Sequence, residues 1–255
     1  MFSKLLKYEL KSVGKWYFAL NASIIAMSFF LGFSIKSLTN FAEEHSNISS
    51  NNFAQLIPII LALIFGVLVA SACIATVVII VRRFYKNLFG REGYLTLTLP
   101  VSTHQIILSK LVASAIWTAF NLLIVLIGIT ILILPISGLG HFLAILPQIG
   151  KMLTLKNWFL LLLLEIASVL SGILMIYLAI SIGQLFANKR GLMAFIAYCV
   201  LSIVLIIVSE LTSGQLIDNN LSWDLLPLSI IENLIEGIIF YLATHYLLKN
   251  KINIQ

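Results

Sequence analysis

The chain is short of charge. Only 10% of its 255 residues are Asp, Glu, Lys or Arg, against about 25% in an ordinary soluble domain. With 60% hydrophobic residues and a mean hydropathy of +1.06, that shortage excludes a soluble globular class and points to an all-α polytopic membrane protein. Cysteine is scarce too. Cys73 and Cys199 both lie inside apolar runs, so a disulfide framework, which needs an oxidising aqueous setting, is not expected; both read as small buried hydrophobes.

Several chemistries are missing as well. No G-x-x-x-x-G-K-[ST] stretch is present to cradle a nucleotide phosphate, so ATP hydrolysis by this chain alone is not expected. There is no H-E-x-x-H pair, and His45, His104, His141 and His245 are scattered, which argues against a metalloprotease or a bound metal. No G-x-S-x-G nucleophile elbow occurs. Soluble insertions, long linkers, low-complexity tracts and short repeats are likewise absent. The net charge of +6 is not a nucleic-acid signal in such a chain, because Lys and Arg mark the cytoplasmic side of a membrane protein.

Six long apolar runs are present. Runs of about 18 or more apolar residues read as spans, and they fall at about Trp16–Ile35, Leu56–Val81, Ile106–Leu134, Trp158–Gly183, Leu192–Ser209 and Leu228–Leu248. The first follows lysines, as in a signal peptide, but it is too long for an h-region and lacks a cleavage site; it reads as an uncleaved span. The second, at about 1.5 Å per residue, is longer than the roughly 30 Å hydrocarbon core and is expected to tilt or to extend beyond it. Its Ala70–Thr76 segment, ASACIAT, carries small residues at helical spacing, which suits close packing within the chain or at a subunit interface.

Ahead of the first span, residues 1–15 form a helix candidate. Lys4, Lys7, Lys11 and Lys15 fall on one face and Phe2, Leu5, Leu6, Leu10 and Val13 on the other, with Glu9 the exception on the apolar side. Such a basic amphipathic helix is expected to lie on the inner membrane surface. The connections at Lys36–Gln55, Pro135–Asn157 and Glu210–Pro227 are expected outside. The apolar piece Phe142–Leu146 should sit at the interface, and Leu221–Leu226 could dip back into the outer leaflet. This topology puts thirteen of the sixteen Lys and Arg residues inside, leaving only Lys36, Lys151 and Lys156 outside. The bias predicts both termini in the cytoplasm of a cell-membrane protein.

A basic island, Arg82–Gln105, joins the second and third spans. Arg82–Phe89 can form a short amphipathic helix, with Phe84 facing Leu88 and Tyr85 facing Phe89 at i,i+4. Gly90 and Gly93 can end it. Pro100 favours extended chain before it, and Ser102 with Gln105 has capping-box spacing for the next helix. The aromatic and leucine side chains could anchor a partner, while Arg82, Arg83 and Lys86 could meet acidic groups or anionic headgroups. Elsewhere, Glu165, Glu232 and Glu236 lie within spans, where an ionisable group is a functional candidate. A polar substrate path and a structural, water-exposed role stand side by side for them, with a proton relay as a third reading.

The string FYKNLFGREGYLTLTLPVSTHQIILSKL, Phe84–Leu111, is similar to the F-Y-x-x-L-F-x-x-x-G-Y-L-x-x-T-L-P-V-s stretch of permease subunits of type-2 ABC exporters in Gram-positive bacteria. The six spans and the basic N-terminal helix agree with that architecture. The resemblance implies a half-transporter for an amphipathic peptide or lipophilic compound, in export, bacteriocin export or self-immunity. It implies pairing with a second permease, identical or not, and docking of a cytoplasmic ATP-binding subunit that holds the ATP and Mg; this chain would bind no cofactor. Arg82, Arg83, Phe84, Tyr85, Lys86, Leu88, Phe89 and Arg91 would then form the coupling element seated in the ATPase. The rival expectations are an ion-coupled secondary transporter using the three glutamates and a non-transporting sensor or assembly protein.

Overall fold

A computed structural model describes residues 6–9, 15–44, 52–90, 102–152, 154–186, 188–213 and 225–250. Among these residues the chain is helical, without strands. A helical turn at 6–9 precedes six long helices: α1 Lys15–Glu44, α2 Asn52–Phe89, α3 Thr103–Met152, α4 Leu155–Gly183, α5 Arg190–Ser213 and α6 Leu226–Asn250. All six contain a stretch long and apolar enough to cross a bilayer, as the six apolar runs predict. The protein is a helical multi-pass membrane protein.

Three helices depart from the expected boundaries. α1 runs past Ile35 to Glu44, into the connection expected at Lys36–Gln55. α2 does not stop at Val81 to make way for a separate short helix; it runs unbroken to Phe89. Nothing between Val77 and Phe89 is Gly or Pro, so each further turn adds hydrogen bonds without a new nucleation cost. It ends at Gly90, whose amide donates to the Lys86 carbonyl at 3.1 Å. α3 continues past Leu134 into the expected loop. The backbone breaks at Gly138, with φ 74° and ψ 150°, and helix resumes to Met152. Gly138 suits that break because an L side chain is strained at such a φ. The connection predicted at Pro135–Asn157 is therefore helical for most of its length. Helix starts follow the expected chemistry. The Gln105 amide donates to Ser102 Oγ at 3.4 Å, and Thr154 caps α4 by accepting from the Asn157 amide.

The chain gathers into two compact units. The first comprises Met1–Lys11, Ile79–Ala115 and Leu153–Gln255; the second comprises Ser12–Val78 and Ile116–Met152. In the first unit, α4 packs against α5 and α6. Its core is built on Phe84, Leu88, Ile106, Leu174, Tyr177 and Phe240. α4 enters α5 by a tight turn in which a Cβ on Gly183 would lie 2.7 Å from the Ala194 backbone nitrogen and from the Arg190 carbonyl oxygen.

The second unit packs α1 against α3 at two glycines. A Cβ on Gly32 would lie 2.7 Å from the Leu132 carbonyl oxygen, and one on Gly128 would lie 2.8 Å from Ser28 Oγ. A buried polar net joins its three helices, with Thr76 at the centre. Tyr17 Oη lies 2.9 Å from Thr76 Oγ1, and Asn121 Nδ2 donates to Thr76 Oγ1 at 2.6 Å and to the Ala72 carbonyl at 2.9 Å. Three of the seven residues of Ala70–Thr76 thus pack within the chain: Ala72, Ala75 and Thr76 are buried, while Ala70 and Cys73 are exposed.

Candidate functional site

The last two turns of α2 carry most of the residues assigned to coupling. A helix here shows about 100° of arc per residue, and the side chains divide accordingly. Arg82, Tyr85 and Lys86 are exposed; Phe84 and Leu88 are buried, at 0% and 1% exposure. Phe84 stacks face to face on Tyr177 of α4, with ring centroids 3.9 Å apart and planes at 8°, and meets Phe89 edge-on at 6.1 Å. Phe84 and Leu88 are therefore core residues of the first unit. They do not stand outward as anchors, because the helix continues straight from the span and keeps its apolar stripe turned to α4. Tyr85 is the aromatic left outward, 41% exposed. Arg91 lies outside the described residues, as do Lys4 and Lys11.

Arg83 and Asn87 lie beside this core and meet a residue from the start of the chain. Glu9, 7% exposed, accepts from Lys110 Nζ at 2.6 Å, from Asn87 Nδ2 at 3.2 Å and from Arg83 Nη1 at 3.3 Å. Lys110 Nζ also donates to the Arg83 carbonyl at 3.5 Å. One carboxylate thus serves three donors from two helices. Such a buried cluster contributes little compared with an apolar replacement of the same shape, but removing one partner typically costs about 3–5 kcal/mol, because a buried charge is left uncompensated. Arg83 Nη2 is buried there without a hydrogen-bond partner.

Two local oddities of the sequence meet here. Glu9 is the carboxylate on an otherwise apolar helix face, and Lys110 is the charge near the start of an otherwise apolar run. Each looks like a misfit alone, and together they make an ion pair. Lys7 is exposed beside Glu9, and Lys15 is exposed at the start of α1.

The three membrane glutamates do not form one site. Glu236 accepts from Ser171 Oγ of α4 at 3.3 Å, whereas Glu232 accepts from Thr212 Oγ1 of α5 at 3.1 Å. They share a face of α6, as their spacing of four predicts, but each is held by a different neighbour. Glu165 is exposed and takes part in neither contact. The re-entrant candidate Leu221–Leu226 falls mostly outside the described residues; α6 begins at Leu226.

Two further features are not legible in the sequence. In the second unit an open apolar cavity of about 780 Å³ lies between α1 and α2, lined by Phe29, Phe30, Phe33, Ser34, Ile57 and Leu61 among others. Phe29 and Phe33 stack across one turn at 6.1 Å. In the first unit, His104 at the start of α3 stacks on His245 of α6 at 3.9 Å and lies 2.7 Å from Tyr241 Oη through Nδ1. Among the described residues no group of three or more His, Cys, Asp or Glu side chains is placed to hold a metal.

No family model, curated protein or solved structure matches this chain.

Proposed function

We propose that the protein is the membrane-spanning subunit of an ATP-driven exporter, pairing with a second permease and driven through the end of α2 by a separate cytoplasmic ATPase. The observation that carries this reading is the division of that helix end. Arg82, Tyr85 and Lys86 are turned outward, while Phe84, Leu88 and Arg83 fix the same two turns into a packed core. A surface meant to transmit force must be exposed on one side and held rigidly on the other. The likeness of Phe84–Leu111 to the permease stretch of type-2 ABC exporters supports the same assignment, and Tyr with Arg is the residue pairing enriched where partners dock. The Phe-lined cavity between α1 and α2 suits an amphipathic peptide or lipophilic compound, since apolar pockets with a few hydroxyls are typical ligand sites. In this reading both termini face the cytoplasm.

The test is purification in mild detergent from the native cells, followed by an assay for associated ATPase activity. Co-purifying ATPase activity is expected from the wild type, and its loss from the Arg82→Glu/Tyr85→Ala double variant, with the permease itself still folded. An ATPase complex that survives those changes, or no associated ATPase at all, would overturn the assignment. The hydroxyl-held carboxylates Glu232 and Glu236 favour an ion-coupled carrier as the second reading; that reading requires transport without ATP and its loss in Glu232→Gln/Glu236→Gln.

A further inference from the structure

We propose that Glu9 is a latch: its carboxylate fixes the N-terminal helical turn to the end of α2 and the start of α3, and it holds Arg83 and Asn87 in their observed orientation. The helical turn at 6–9 is thus a docked part of the first unit as well as a membrane-surface element.

The chemistry of the face requires such a role. A basic helix with an apolar side rests on a bilayer by itself, but a carboxylate on that apolar side opposes insertion among acyl chains. Glu9 therefore weakens a purely lipid-bound helix. It favours docking only where cations wait, and Lys110 and Arg83 supply them at 2.6 and 3.3 Å. Lys110 is 3% exposed, so its charge depends on partners within the chain. The donors come from two different helices, and all four groups belong to the first unit. The unit boundary falls between Lys11 and Ser12, so the latch lies immediately before the chain passes into the second unit. Glu9 is a positioning residue in this scheme, since it acts through the groups it holds.

Hydrogen–deuterium exchange on the purified chain in lipid nanodiscs tests this without any ATPase, so its outcome is separate from the transporter reading. In Glu9→Gln the peptide carrying residues 6–9 should exchange at least about tenfold faster, a change worth 1.4 kcal/mol in the opening equilibrium, while the spans keep their protection. Glu9→Asp should restore part of the protection. In a double-mutant cycle, Lys110→Met should harm the Glu9→Gln background less than the wild type, because it removes a charge already stranded. Unchanged exchange in Glu9→Gln, a rise spread evenly over all six helices, or strictly additive effects in the cycle would each overturn the latch.

Discussion

Replacing Phe84 separates a core residue from a docking residue. Phe84 has no exposed surface and stacks on Tyr177 at 3.9 Å, within a cluster that also holds Leu88, Ile106 and Leu174. Phe→Ala in a packed core costs about 3–5 kcal/mol, part transfer and part cavity. Inside a bilayer the transfer share shrinks, because lipid is as apolar as the core, but packing contacts and the void remain. The ring pair itself contributes about 0.5–1.5 kcal/mol. A loss of about 3 kcal/mol follows. At about 2–4 °C per kcal/mol for a chain of this size, the unfolding midpoint should drop by about 6–12 °C. The assay is thermal unfolding of the purified chain followed by tryptophan fluorescence. Tyr85→Ala is the internal control. Its side chain is exposed, so the cost should stay within about 0.5 kcal/mol, and Phe84→Leu should retain most of the stability. If Phe84→Ala unfolds with the wild type, or if Tyr85→Ala costs as much, the assignment of inner and outer faces to the end of α2 is wrong.

Two further outcomes are expected. Gly183→Ala should cost about 1–3 kcal/mol by overpacking the turn from α4 into α5, whereas Gly172→Ala, where a Cβ meets nothing within 4 Å, should cost nothing or gain up to about 1 kcal/mol of helix propensity; comparing the two midpoints checks it. In a chain with Cys73 and Cys199 replaced, Tyr85→Cys should react with a membrane-impermeant maleimide only from the cytoplasmic side. Labelling of intact cells from outside would contradict the proposed orientation.

The six spans were legible because hydrophobic runs report directly on a lipid solvent; α4, α5 and α6 begin within three residues of their predicted starts. The cap at Ser102 was legible for a local reason, as it acts on an amide three residues away; Thr154 does the same for α4 and was not read as a cap. What sequence reasoning missed depends on distant neighbours. Nothing in Arg82–Phe89 by itself says which face meets α4, so Phe84 and Leu88 read equally well as anchors for a partner. The helix that resumes after Gly138 was hidden, because the Gly and Pro residues of Pro135–Asn157 favour a loop when read alone. Glu9 stands out as an exception and Lys110 as the charge in an apolar run, yet pairing them requires knowing that the ends of two spans and the N-terminal turn lie together. The division of Glu232 and Glu236 between α5 and α4 follows from packing angles that a spacing of four does not encode.

The contact between Glu9 and Lys110 joins residues 101 positions apart, and this gives the nascent chain a timetable. At about 5–20 residues per second, the ribosome adds the acid about 5–20 s before the base. Throughout that interval the N-terminal carboxylate lacks its closest donor, although Arg83 and Asn87 follow it by 74 and 78 residues. The three-donor contact therefore closes only once the start of the third span has been delivered, and a chain released before that point would hold Glu9 through α2 alone.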